Sequence, residues 1–196
     1  MEPTVILERY RRRADRFESL IAATADHQWS AQSPCEKWDA RDVVGHIVMM
    51  HDVMLHPVHR IPSPGPTVAE DPLAAFRRAR SDVEALLTDR DVAASKTSTP
   101  AGELTVSDMV DQVVSQDLVH HGWDLAKATG QDAAMDPDDV AELLPVVEAL
   151  PPEMYEPGAY GPDIEVLGPK VSVPHDASPQ DRLLGLLGRD PQWEAP

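Results

Sequence analysis

The chain has 196 residues, of which 42% are apolar, and this fits one domain spanning 1–196 with a core filled by Leu, Val, Ala and Met rather than by its 4 Trp, 3 Tyr and 2 Phe. Its 34 acidic and 17 basic side chains give a formal charge of −17 with histidine neutral, which argues against nucleic acid and anionic membrane partners. Cys35 is the single cysteine, so no internal disulfide or thiolate cluster forms; with no apolar run of ~18 residues and no signal-peptide core at the N-terminus, the expected location is the cytoplasm.

The first predicted helix covers about 4–25, with Val5, Leu7, Phe17, Leu20 and Ile21 as its buried stripe and Arg11–Arg13 as a solvated face. A polar loop with Pro34 follows, and Asp39, with Asp42 three residues on, caps a second helix from Ala40 to the region before Pro57. The stiff segment 61–66 leads to a third helix at about 69–88. Thr105 and Asp108 form a capping-box variant that opens a fourth helix, ended near Gly130. A shorter helix runs from Asp136 towards Leu150, and the Pro- and Gly-rich stretch 151–174 is an irregular wrap with a small hairpin predicted at Ile164–Leu167 and Lys170–Val173. Ser178 and Pro179 open a last short helix that ends at Gly188. Four long amphipathic helices with short or moderate loops predict an all-α four-helix bundle with short extra helices.

The sharpest chemical signal lies on the fourth helix. Met109, Val110, Val113, Val114, Leu118 and Leu125 form one apolar arc, and Asp117 and His121 fall inside it, one turn apart. A buried carboxylate must be paired, hydrogen-bonded or metal-bound, and an i/i+4 pair can supply two ligands to one ion. A structural Asp–His hydrogen bond fits the same pattern. The second helix adds two histidines on its apolar side, His46 near one edge and His51 well inside, and pattern alone does not choose between them. Two imidazoles and one carboxylate leave coordination positions for water or substrate. Asp124 is placed to orient His121 or simply to bond within the core, His120 is a neighbour of the site, and Cys35 reads as a buried structural thiol.

The segments Ser33-Pro-Cys-Glu-Lys-Trp-Asp-Ala-Arg-Asp-Val-Val-Gly-His46, Asp117-Leu-Val-His-His-Gly-Trp-Asp-Leu-Ala-Lys-Ala-Thr-Gly130 and Asp181-Arg-Leu-Leu-Gly-Leu-Leu-Gly-Arg-Asp-Pro191 resemble the DinB-like superfamily. They are most similar to its branch named for the N-terminal domain of mycothiol-dependent maleylpyruvate isomerase. The resemblance implies a four-helix bundle that holds a divalent metal, zinc foremost or nickel. Carried onto this chain, its ligands are His46, Asp117 and His121, with Asp117 standing where the isomerase has Glu. It also implies a thiol cofactor such as mycothiol and a small electrophilic substrate. The last segment resembles the short tail of one subgroup rather than the isomerase's further C-terminal domain.

Two functions follow. The first is a metal-dependent enzyme that uses a low-molecular-weight thiol for S-transfer or isomerisation, as a monomer or homodimer. The second is a non-catalytic, stress-related metal- or ligand-binding module.

Overall fold

A computed structural model describes residues 3–99, 102–156 and 167–196. Four long helical stretches form the bundle: α1 (Pro3–Ala23), α2 (Ala40–Val53), α3 (Pro72–Thr88), and a stretch made of α5 (Val106–Val110), a π-helical turn (Asp111–Ser115) and α6 (Gln116–Ala128). A short α4 (Arg90–Ala94) follows α3, and α7 (Pro137–Glu148) packs against α8 (Pro179–Leu186). α1 and α2 each pack against both α3 and α6.

The helix starts follow their caps. Asp39 accepts the Asp42 N–H at 2.9 Å while the Asp42 carboxylate accepts the Asp39 N–H at 3.1 Å, a reciprocal box that fixes the entry into α2. Asp71 accepts from Ala74 N at 2.9 Å with Pro72 as the first residue of α3, and Thr105 accepts from Asp108 N at 3.0 Å before α5. Gly130, at φ +66°, terminates α6 in the left-handed conformation that glycine adopts without strain.

The main core joins Ile6, Tyr10, Ala14, Phe17 and Ile21 of α1 to Val43, Val44 and Ile47 of α2, Phe76, Ala79 and Val83 of α3, and Val110, Val114, Leu118 and Leu125 of the fourth stretch. The α1 stripe is therefore offset from the predicted one: Ile6 is buried, whereas Val5 is 47% exposed. A second cluster of Val140, Leu143, Val147, Leu183 and Leu187 binds α7 to α8. Val119 packs against this cluster from α6. α6 is thus covered on two sides, which is why Trp123 and Asp124 are buried along with Leu125.

Of the predicted solvated face, Arg11 and Arg12 stay exposed, and Arg13 alone is corrected by α7. Arg13 is 3% exposed and donates to Asp139 at 2.9 Å and to Ser115 Oγ at 3.0 Å, while Arg9 forks onto Asp111 at 3.0 and 2.5 Å. The two arginines grip both ends of the π-turn. Acidic residues distant in sequence neutralise this face, and no local pattern announces them.

Among the described residues the only paired strands are β1 (Lys96–Thr99) and β2 (Gly102–Thr105), an antiparallel hairpin with Lys96 opposite Thr105. The hairpin predicted at 164–173 lies partly outside the described residues. Its second half, 170–173, forms no strand, because Val171 N–H donates to Gly185 O at the end of α8 instead. No described helix is long and apolar enough to cross a membrane.

Candidate metal centre

His46 on α2 and Asp117 and His121 on α6 meet at one edge of the bundle. One ligand atom from each lies within 4.8 Å of the other two. His46 Nε2 is 3.4 Å from Asp117 Oδ2, and the His46 and His121 rings lie 4.6 Å apart between centroids. Trp38 covers both imidazoles, at 4.8 Å from His46 and 5.5 Å from His121. The loop before α2 fixes that indole: the carbonyl of Trp38 accepts from Ser33 N–H, Ser33 Oγ and Gln32 Nε2 at 3.0, 2.8 and 2.9 Å.

His51 is elsewhere. Its Nδ1 lies 2.7 Å from Ile47 O and its Nε2 3.0 Å from the Tyr10 hydroxyl, inside the core beside Phe76. The ring donates to the carbonyl, so it accepts from the phenol and has no lone pair to offer an ion. Burial pushes its pKa down to about 4, in line with a permanently neutral ring. His120 is buried as well, with its pKa pushed down to about 3 by burial, and its Nε2 has no hydrogen-bond partner among the described residues.

Asp124 sits behind His121. Its Oδ2 lies 2.8 Å from His121 Nδ1, and Asp124 is fully buried. Burial pushes this carboxyl up, but Arg189 beside it and the His121 hydrogen bond more than offset that and hold it well below the usual carboxylate range. An ionised Asp124 accepts from His121 Nδ1–H and so leaves His121 Nε2 as the nitrogen with a free lone pair. Cys35 Sγ donates to Asp124 Oδ2 at 3.2 Å. Burial, followed by the Asp124 charge, pushes this thiol up to about 12, so Cys35 is no thiolate at neutral pH.

The donors therefore fall into two groups with different chemistry. Cys35, His121 and Asp124 also lie within 4.8 Å of one another, but the Arg189 guanidinium already stands 2.9 Å from Asp124 and 3.5 Å from Cys35. A fixed cation fills that place. Around His46, Asp117 and His121 there is none: among the described residues Asp117 makes no ion pair with Lys or Arg, only with His46. Burial pushes the Asp117 carboxyl up, but the His46 hydrogen bond and the neighbouring imidazoles outweigh it and hold the group below the usual carboxylate range. An ionised carboxylate with two imidazoles and no resident cation fits a divalent ion. Ligand atoms about 2.1 Å from one tetrahedral ion stand about 3.4 Å apart, a spacing the His46–Asp117 pair meets. The side chains of His46 and Asp117 are 19% and 24% exposed against 10% for His121, so the group opens to solvent on their side.

The sequence pattern placed Asp117, His121 and Asp124 on one helix face, as the structure does, and left His46 and His51 unresolved. Trp38 and Arg189 carried no local signal of their proximity, since both reach the site through contacts between distant segments.

The family model described as the mycothiol maleylpyruvate isomerase N-terminal domain matches residues 10–126, more than half of the chain. Two uncharacterized proteins of Mycobacterium tuberculosis, from the CDC 1551 / Oshkosh and ATCC 25618 / H37Rv strains, are each 27% identical over 186 residues, covering 92% of this chain and 95% of theirs. No solved structure matches the chain.

Proposed function

The chain belongs to the mycothiol maleylpyruvate isomerase N-terminal domain family, and from that premise we propose that it is a metal-dependent enzyme using a low-molecular-weight thiol, mycothiol or a close analogue, for S-transfer to a small electrophile or its isomerisation. His46, Asp117 and His121 are the ligands, and the ion is divalent, zinc foremost or nickel. The observation that carries this reading is the convergence, within 4.8 Å, of two imidazoles and an ionised carboxylate that makes no ion pair with Lys or Arg among the described residues.

The ion, when bound, supplies a Lewis acid that lowers the pKa of a coordinated thiol and keeps it as a thiolate. The chain's own residues do the rest. Asp124 fixes the proton of His121 on Nδ1, Trp38 holds the two imidazoles in place, and the partly exposed edge at His46 and Asp117 admits the thiol. Cys35 is not the nucleophile, because its thiol stays protonated beside Asp124. This chemistry belongs in the cytoplasm, where small thiols are kept reduced.

Calorimetric titration of mycothiol, or of a simple thiol, into zinc-loaded and metal-free protein tests the assignment. Binding that requires the ion and disappears with a methylated thiol is the expected result. Equal heats with and without zinc would defeat it, and an ion bound with no thiol response would favour a metal-holding module instead.

A further inference from the structure

The strongest unassigned feature is the way the C-terminal segment closes behind His121. α8 ends in a turn where Gly188 N–H donates to Gly185 O at 3.2 Å and Arg189 N–H donates to Leu184 O at 2.9 Å, the paired bonds of a Schellman closure. Gly188 has φ +78°, and a Cβ there would lie 2.9 Å from Gly168 O. At Gly185 a Cβ would meet Val171 O at 2.6 Å, where the 168–173 strap crosses the helix. Both glycines are therefore dictated by close backbone approach, and together they fix where Arg189 leaves the turn.

The Arg189 side chain is 12% exposed. Nη1 donates to Leu187 O at 2.7 Å, which steadies the guanidinium on its own turn. Nε and Nη2 then fork onto Asp124 Oδ1 and Oδ2 at 3.3 and 2.9 Å. His121 Nδ1 and Cys35 Sγ touch Oδ2 alone. Among the described residues only Arg189 reaches Oδ1, so the fork alone holds both oxygens and pins the carboxylate's rotation about Cβ–Cγ. That rotation decides whether Oδ2 faces His121.

We propose that Arg189, which lies outside the residues matched by the family model, is a positioning residue for the His46–Asp117–His121 group. It acts through Asp124 to keep the His121 proton on Nδ1 and the Nε2 lone pair towards the ion. The C-terminal segment is thereby a required part of the metal site, although it supplies no ligand. This rests on the metal reading above.

The test is zinc affinity of the full chain by chelator competition for the wild type, Arg189→Gln, Arg189→Lys, Asp124→Asn and the double variant Arg189→Gln/Asp124→Asn. Arg189→Gln should weaken zinc binding ~10–100-fold, as loss of an outer hydrogen-bond partner does. Arg189→Lys should fall between, because a point charge cannot fork, and it carries the test if Arg189→Gln does not fold. In the Asp124→Asn background the Arg189 change should add less than about twofold. A purely structural role would not move the next readout: ring-nitrogen NMR of the metal-free chain should show His121 losing its Nδ1–H form in Arg189→Gln while the helical spectrum is kept. Wild-type affinity in both Arg189 variants, or an equal loss with and without Asp124, overturns the proposal. A wild-type chain that takes up no zinc defeats the metal reading instead, and the NMR readout then still decides what Arg189 does to His121.

Discussion

His46 and His51 lie five residues apart on one helix, and the structure predicts opposite consequences for their removal. The His51 ring is 1% exposed and bonded at both nitrogens. His51→Ala leaves a cavity in the core and strips the fully buried Tyr10 hydroxyl of its partner. The cavity costs about 2–3 kcal/mol and the orphaned hydroxyl about 1–2 kcal/mol, so a loss of about 3–5 kcal/mol is expected. His46 has a 19% exposed side chain, which makes ring contacts with Trp38 and His121 and approaches Asp117 at 3.4 Å. His46→Ala should cost no more than about 1.5 kcal/mol. Zinc affinity should reverse the order: unchanged in a folded His51→Ala protein, and at least about 100-fold weaker in His46→Ala, more than loss of an outer partner would give. Unfolding must be read in chelator, because an ion bound only to the native state would add its own stabilisation. Urea unfolding with EDTA, paired with chelator-competition titration, measures both. A His46→Ala protein that binds zinc normally, or a His51→Ala protein that loses zinc while folded, would refute the reasoning.

Three further outcomes follow. Cys35→Ser should keep zinc affinity within about threefold, since a serine hydroxyl can still donate to Asp124; a loss beyond tenfold by the same titration would make Cys35 a ligand. Acid should destabilise the metal-free protein through His51, whose folded pKa of about 4 lies below its ordinary 6.5. The unfolded chain takes the proton first, so this contribution is full above about pH 6.5 and is lost towards pH 4, at up to ~1.4 kcal/mol per pH unit; urea midpoints at pH 7, 6 and 5 should fall less steeply in His51→Gln than in the parent, and parallel curves would contradict it. In chelator, Asp117→Leu should range from neutral to about 1 kcal/mol more stable, because it removes a largely buried charge that makes no ion pair with Lys or Arg among the described residues; thermal unfolding that shows a loss above about 2 kcal/mol would make the Asp117–His46 contact structural.

What was legible in the sequence was local. The caps at Asp39, Thr105 and Ser178 and the glycine stop at Gly130 set helix starts and ends within a few residues, because each acts on its own first or last turn. The face shared by Asp117, His121 and Asp124 followed from helical spacing, although a π-turn lies just before it. Long-range pairing escaped. Arg13 was read as solvated, but α7 brings Asp139 to it, and the β1–β2 hairpin formed where no strand was predicted. The choice of His46 over His51 was open in the pattern, since both lie on the apolar side of α2; it depended on the family resemblance, and the structure separates them by placing one against α6 and the other against Tyr10.

The central claim is that His46, Asp117 and His121 hold one divalent ion. Elemental analysis of the full chain, produced without a histidine tag, loaded with zinc and passed through a desalting column, tests it most directly. One ion per chain is expected, falling to near zero in each of His46→Ala, Asp117→Ala and His121→Ala while the helical spectrum is retained. No stoichiometric ion in the parent after loading with zinc or nickel, or a full ion in a variant lacking all three side chains, would contradict it.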